Sequence, residues 1–419
     1  MKETLYDPHF YLCSEKMPFT IRLEVTLTEE IDGRMLTDAV NEAIRRYPYF
    51  AVEIVEEDSE WLVVPNNRPL VTFAGDKSLL LGSDETNRHL AAFSYYGRTV
   101  AMHVSHVITD GAGCFPLLKT VLYGYLCRRT GMRLDPTDIR LPDDPLLPDE
   151  VGDPFPHEAV AAAEPFYTPP EKEFFRFTDG GYVNDDEWTV YRVELDEKAF
   201  MAFNVSHDGS PCALISSILA KAIRDVHPDE TRDVVGSVSF NLRPALHNSA
   251  SYRMLCHYIP VRYPSALRKE RLSKLCTCTR GAITLLSQPE NALFCVREQH
   301  ELLRHVLALP TVRQKSDILA PAALADATNN TFSVSYVGKL PFGSLEPYIT
   351  RLHALTDGSL YRSIFLELIS INGKFCVSFM QGFSSDVYYR AFLERLKHYE
   401  LPFVEREKTP LRTAKILLP

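Results

Sequence analysis

The sequence predicts an α/β (α+β) fold built as two units. Three observations carry that reading. Apolar residues recur at period 2 and period 3.6 in alternating segments, an acidic proline-rich stretch interrupts the pattern at 142–170, and 419 residues at 45% hydrophobic composition exceed one ordinary core.

Residues 20–28 alternate Ile21, Leu23, Val25 and Leu27 against Arg22, Glu24 and Thr26, the pattern of a half-buried strand. Leu36, Ala39, Val40, Ala43 and Ile44 then fall on one helical stripe, which Pro48 closes. Residues 54–64 read as a hairpin, and 98–104 as a strand around Val100, Met102 and Val104 that runs out near Ser105. After Gly113, Leu117, Leu118, Val121, Leu122, Tyr125 and Leu126 form a second helical stripe.

Eight prolines among many acids at 142–170 exclude helix and central strand and predict a linker or crossing loop. Beyond it, 187–195 alternate as a strand, and Ser210-Pro211 supply an N-cap and first-turn proline to a helix carrying Leu214, Ile215, Ile218, Leu219, Ala222 and Ile223. The rest reads as strand-rich, with strands at 234–240, 331–337, 363–371 and 374–380 and a closing helix at 386–399. The predicted units are 1–170, ending in the crossing linker, and 171–419.

A net charge of −10 spread along the chain offers no basic face for nucleic acid. The first twenty residues lack a basic region followed by an apolar one, and no run is apolar enough to span a membrane, so a cytoplasmic protein is expected. Nine irregularly spaced cysteines fit reduced thiols, and Cys276-Thr-Cys278 has no second pair nearby to complete a zinc site.

The chemistry concentrates in His103-Val-Ser-His106-Val-Ile-Thr-Asp110-Gly111. His106 stands at a strand exit, where a rigid element aims a side chain into a cleft. Asp110 supplies a local acceptor, and Gly111 with Gly113 allows a tight turn. An imidazole titrating near about 6.5 serves as a base around neutrality. A metal held by His103, His106 and Asp110 is disfavoured by the opposite strand parity of the two histidines, so no metal is expected. A serine hydrolase is disfavoured because Gly-x-Ser-x-Gly is absent.

Ser105-His106-Val-Ile-Thr-Asp110-Gly111 resembles the His-His-x-x-x-Asp-Gly motif of the superfamily that holds chloramphenicol acetyltransferases, peptide-synthetase condensation domains and plant acyltransferases. Leu36 to Phe50, Asp110-Gly-Ala-Gly113, Asn241-Leu-Arg243-Pro244 and Ser333 to Gly338 follow in the order seen in bacterial alcohol acetyltransferase-like members, so the resemblance spans most of the chain. It implies two chloramphenicol-acetyltransferase-like lobes, each a mixed sheet flanked by helices, with an active-site tunnel between them. It also implies that His106 deprotonates a hydroxyl or amine, which attacks an acyl thioester.

By the same resemblance, Asp110 is a structural partner of an arginine from the other lobe, for which Arg243 is the candidate. Ser335 is a candidate oxyanion donor, Tyr336 stands where relatives often carry Asn, and Asn241 and Ser105 complete the substrate or oxyanion candidates, Ser105 in place of the first histidine. The implied co-substrate is acyl-CoA or a phosphopantetheine thioester, with no permanently bound cofactor. The implied partners are a small alcohol or amine and, in a carrier-dependent variant, a separate acyl carrier protein. A monomer is expected, because the two lobes already form the interface that a single-lobed relative makes with a neighbour. A non-catalytic binding protein is the remaining class, favoured if bulky side chains such as Phe174-Phe175-Arg176-Phe177 plug the tunnel.

Overall fold

The computed structural model describes residues 3–4, 8–14, 17–165, 173–177, 188–327, 329–357 and 363–419. Two mixed sheets organise it. The first has five strands in the order Ile349–Thr356, Thr20–Leu27, Thr99–Ser105, Ala91–Tyr96 and Thr72–Ala74. The second has seven, in the order Cys256–Tyr263, Val234–Asn241, Phe332–Lys339, Ile364–Ile371, Lys374–Gln381, Thr189–Asp196 and Phe403–Pro410. Helices flank both, and none among the described residues is long and apolar enough to cross a membrane.

Local chemistry accounts for the helix starts. Asp32 accepts hydrogen bonds from the Arg34 and Met35 amides to open Gly33–Ala43, whose buried Leu36, Ala39, Val40 and Ala43 lie on the stripe read from sequence. Ser210 caps Pro211–Val226 through the Ala213 amide, with Pro211 in the first turn, where no intrahelical donor is lost. In the hairpin of Val52–Glu57 and Glu60–Pro65, Asp58 and Ser59 both take positive φ (51° and 62°), as a tight two-residue turn requires.

Alternation divides the core. In the strand Ile364–Ile371, Ile364, Leu366 and Leu368 pack with the helices behind the second sheet. Phe365, Ile369 and Ile371 pack toward the first sheet. Glu367 shares this second parity.

Four expectations need correction. Residues 1–170 do not build the first sheet alone: Ile349–Thr356 pairs antiparallel with Thr20–Leu27, and Lys415–Ile416 pairs with Leu80–Leu81. Thr20–Leu27 has no wet face, since Arg22 and Glu24 are 1% and 5% exposed. Arg22 pairs with Glu24 and Asp76, and Glu24 with Arg192 of the second sheet, so charges that read as solvated form a buried network.

The proline-rich stretch holds two short helices, Pro148–Val151 and His157–Ala161. Proline is tolerated in a first turn, and the buried Glu150 anchors the segment by accepting two hydrogen bonds from Arg46 (2.9 and 2.8 Å). The end of that stretch, 166–170, and the start of the 187–195 strand lie outside the described residues.

Finally, the second half is not uniformly strand-rich. Leu272–Leu286, Pro289–Leu307 and Val312–Ala327 are three consecutive helices, and the second buries Ala292, Val296, Leu303 and Val306 at helical spacing. That periodicity was present in the sequence.

Candidate active site

His106 follows directly on the strand Thr99–Ser105 and precedes the helix Gly111–Thr130. Its amide donates to the Phe19 carbonyl (2.8 Å), and its ring stacks on the Phe19 ring at 4.7 Å and 10°. Phe19 holds φ of 45°, a conformation costly for a bulky residue, so the packing around it fixes the surface on which the imidazole lies. The ring Nδ1–H donates to the Thr109 carbonyl (2.9 Å). A carbonyl only accepts, so the neutral ring carries its proton on Nδ1 and its basic lone pair on Nε2.

Asp110 caps the helix through the Gly113 amide (2.8 Å). Its two oxygens also receive Arg243 in a fork, Nη1 to Oδ2 at 2.7 Å and Nη2 to Oδ1 at 2.9 Å, and Oδ2 accepts the Leu255 amide (2.9 Å). The remaining Arg243 donors go to the Ser251 and Arg253 carbonyls and to Asn241 Oδ1. Both charges are buried, and each is answered by the other and by backbone dipoles, the condition under which a buried ion pair is tolerated.

The glycines divide. A Cβ on Gly113 lies 2.3 Å from the Tyr252 carbonyl, so that position requires glycine. A Cβ on Gly111 meets only Val337 methyls at 3.5 and 3.8 Å, ordinary contact, so the tight turn does not require glycine there.

A cavity of about 130 Å³ opens beside His106 and is lined from both sheets: Ile21, Leu23 and Ala354 from the first, Ser239, Asn241, Ser335 and Glu367 from the second, with Asp110, Gly111 and Arg243 between. The structure therefore brings His106, Asp110, Gly111, Asn241, Arg243, Ser335 and Tyr336 together around one space.

Three of the sequence candidates sit differently from expectation. Ser105 is fully buried in the strand and is not among the residues that line the cavity. Tyr336 takes the parity opposite to Ser335, its ring packs toward Phe375 in the core behind the second sheet, and its hydroxyl lies 3.2 Å from Ser370 Oγ. Asn241 lines the cavity and uses Oδ1 to accept from the Arg243 amide and guanidinium.

His103 is fully buried with Nε2 2.9 Å from Ser94 Oγ, and burial with the nearby Arg22 charge holds its pKa well below the ordinary range. It is absent from the cavity wall, and among the described residues no cluster of three metal-ligating side chains occurs. Cys276 is buried and Cys278 exposed on one helix, so the close pair does not converge. Phe174, Phe175 and Phe177 are buried, with Phe175 and Phe177 in the core behind the second sheet, and none lines the cavity.

Two groups escaped the sequence reading. Glu367 lines the cavity buried, and burial pushes its carboxyl up to about 7 against opposing pulls from the Thr356 and Ser335 hydroxyls. Thr356, on the strand that crosses into the first sheet, donates to Glu367 Oε1 at 2.6 Å. The signal was a lone acid in the otherwise apolar run Ile364-Phe-Leu-Glu-Leu-Ile.

No family model matches the sequence, and no curated protein matches it. Solved structures do resemble its fold. Polyketide synthase associated protein 5 from Mycobacterium tuberculosis aligns at TM-score 0.59 and 12% identity, over 94% of this chain and 98% of that one. TRI101 of F. sporotrichioides, complexed with coenzyme A and T-2, aligns at TM-score 0.60 and 10% identity over 95% and 97%. A structure of condensation domain-mediated chain release from the enacyloxin polyketide synthase aligns at TM-score 0.56 and 14% identity over 96% and 83%. Together with its two cavity-lining sheets, these matches show that the chain shares the two-lobed α/β fold of these structures.

Proposed function

We propose that the chain is an acyltransferase that moves an acyl group from acyl-CoA to a small hydroxyl or amine acceptor, with His106 as general base. The observation that carries this reading is the fixed imidazole: Nδ1–H is held by the Thr109 carbonyl, and His106 lines a cavity bounded by both sheets. Nε2 takes the acceptor's proton as its oxygen or nitrogen attacks the thioester carbonyl. The tetrahedral oxyanion is stabilised by hydrogen-bond donation, for which Ser335 is the candidate, and its collapse expels the CoA thiolate, which recovers the proton from His106. Asp110 and Arg243 hold the turn and do not exchange protons with substrate. An engineered cavity of about 150 Å³ accepts benzene, so 130 Å³ suits an acceptor of a few heavy atoms.

We assign the lobes to 1–170 and 171–419, with 349–356 and 415–416 exchanged into the first, and expect a cytoplasmic monomer of the alcohol acetyltransferase-like kind. The condensation-domain likeness supports one alternative donor, a thioester on a separate carrier protein.

Thiol release from short to long acyl-CoAs, each with pooled alcohols and amines, tests the proposal on the wild type and His106→Ala. Acceptor-dependent release that vanishes in the variant is the expected result. Activity only with a loaded carrier protein replaces the donor. Silence with both donors, from folded protein, overturns the reading in favour of a binding protein.

A further inference from the structure

Glu367 is a carboxyl in the cavity that no described residue neutralises. It sits in the middle of Ile364–Ile371, in register with Ser335 on one neighbouring strand and Ser378 on the other. Its parity turns it toward the first sheet, and its side chain lines the same cavity as His106. Thr356 donates to Oε1, while Oε2 has no hydrogen-bond partner among the described residues. No described Lys, Arg or His forms an ion pair with it; the one guanidinium on the cavity wall, Arg243, is bound to Asp110. An acid so placed is either protonated or open to a cation.

We propose that Glu367 is a specificity-determining residue that binds an ammonium group on the acceptor, so that the preferred acceptors are short amino alcohols or diamines. This deepens the acyl-transfer reading and rests on it. An ammonium at Oε2 supplies the missing charge and the missing hydrogen bond in a site whose walls include the apolar side chains of Ile21, Leu23 and Phe365. The second functional group of the same small molecule is then left to reach His106, across the cavity from the second sheet. A neutral alcohol of equal size fills the space and leaves the carboxyl unpaired, and such a mismatch at a buried polar group is where binding sites discriminate most.

The titratable and charged groups around Glu367 are His106, Asp110 with Arg243, Tyr258, Tyr336 and Cys256 on the cavity wall, together with the Cys212 thiol, which feels its charge. Burial holds Glu367 partly protonated near neutrality. An arriving ammonium favours the ionised form, so binding releases a proton to solvent.

The test uses the full chain with 3-aminopropan-1-ol and its neutral isostere butan-1-ol, as acceptors in acyl transfer and as ligands in calorimetry. The wild type is expected to prefer the amino alcohol. Glu367→Gln, which keeps shape and removes charge, is expected to raise the KM for 3-aminopropan-1-ol roughly tenfold or more relative to any change it causes in the KM for butan-1-ol. Calorimetry near pH 7 in buffers of different ionisation enthalpy is expected to show proton release on binding the amino alcohol, in wild type and His106→Ala but not in Glu367→Gln.

Equal losses with both acceptors, no preference in the wild type, or no proton release in His106→Ala each overturn the proposal. Should Glu367→Gln not fold, the wild-type and His106→Ala titrations still decide. Amino-alcohol binding with proton release but no acyl transfer sinks the acyltransferase reading and leaves the Glu367 assignment standing. His106-dependent transfer to butan-1-ol, indifferent to Glu367→Gln and without amino-alcohol preference, does the reverse.

Discussion

Asp110 and Glu367 are both buried acids on one cavity wall, yet their surroundings differ in every respect that matters for chemistry. Asp110 accepts a guanidinium fork, a capped helix amide and the Leu255 amide. Glu367 accepts the Thr356 hydroxyl at Oε1, feels the Ser335 hydroxyl, and keeps Oε2 without a hydrogen-bond partner among the described residues. A carboxylate whose acceptor sites are filled from within the chain holds structure. One left incomplete in a low-dielectric space is available to a ligand.

The largest expected effect falls on neither acid. His106→Ala is expected to keep its fold and lose activity by about 100- to 10,000-fold, the usual worth of a general base, as thiol release reads directly. Retained activity would show that the two acids frame a site whose base lies elsewhere.

Next, Asp110→Ala leaves the Arg243 guanidinium buried and uncompensated and removes a helix cap. It should cost about 3–5 kcal/mol in the denaturant midpoint. A loss below about 1 kcal/mol breaks the contrast, because Asp110 then holds no more structure than a surface acid.

Glu367→Gln is expected to change pH dependence. Its folded carboxyl keeps a proton to about 7 against an ordinary 4.5, so the native state binds more protons than the unfolded state across that window. Stability from this group is full below about 4.5 and falls as pH rises through about 7, by at most about 3 kcal/mol. Thermal melts of wild type and variant from pH 4 to 8 should converge at the acid end and diverge toward pH 8, the variant higher. Parallel curves contradict the burial argument.

The smallest contrast separates two glycines of the motif. Gly113→Ala drives a methyl onto the Tyr252 carbonyl and should cost about 1–3 kcal/mol. Gly111→Ala, in ordinary contact with Val337, should melt like wild type and only trim the cavity.

Much of this was legible in the chain. The helices opened by Asp32 and Ser210, the 52–65 hairpin, and the strand that ends at Ser105 were readable because caps, turns and periodicity are set by residues a few positions apart. The helices of 272–327 were equally local and were overlooked, since polar and thiol residues interleave their stripes. The motif resemblance pointed to His106, Asp110 and Arg243, which the fold brings around one space. It also pointed to Ser105 and Tyr336, whose side chains turn elsewhere because strand parity and packing, not motif order, decide where a side chain faces.

The sequence by itself therefore determined the elements, their caps and the motif at the strand exit, all consequences of short-range sterics and hydrogen bonding. Only the tertiary structure decided that Ile349–Thr356 crosses into the first sheet, that Arg22 and Glu24 are buried, and that Glu367 meets Thr356 in a shared cavity with Oε2 left open. Whether a polar side chain is solvated, paired or left waiting depends on elements distant in sequence that pack against it, and periodicity along one strand carries no information about what arrives on its other side.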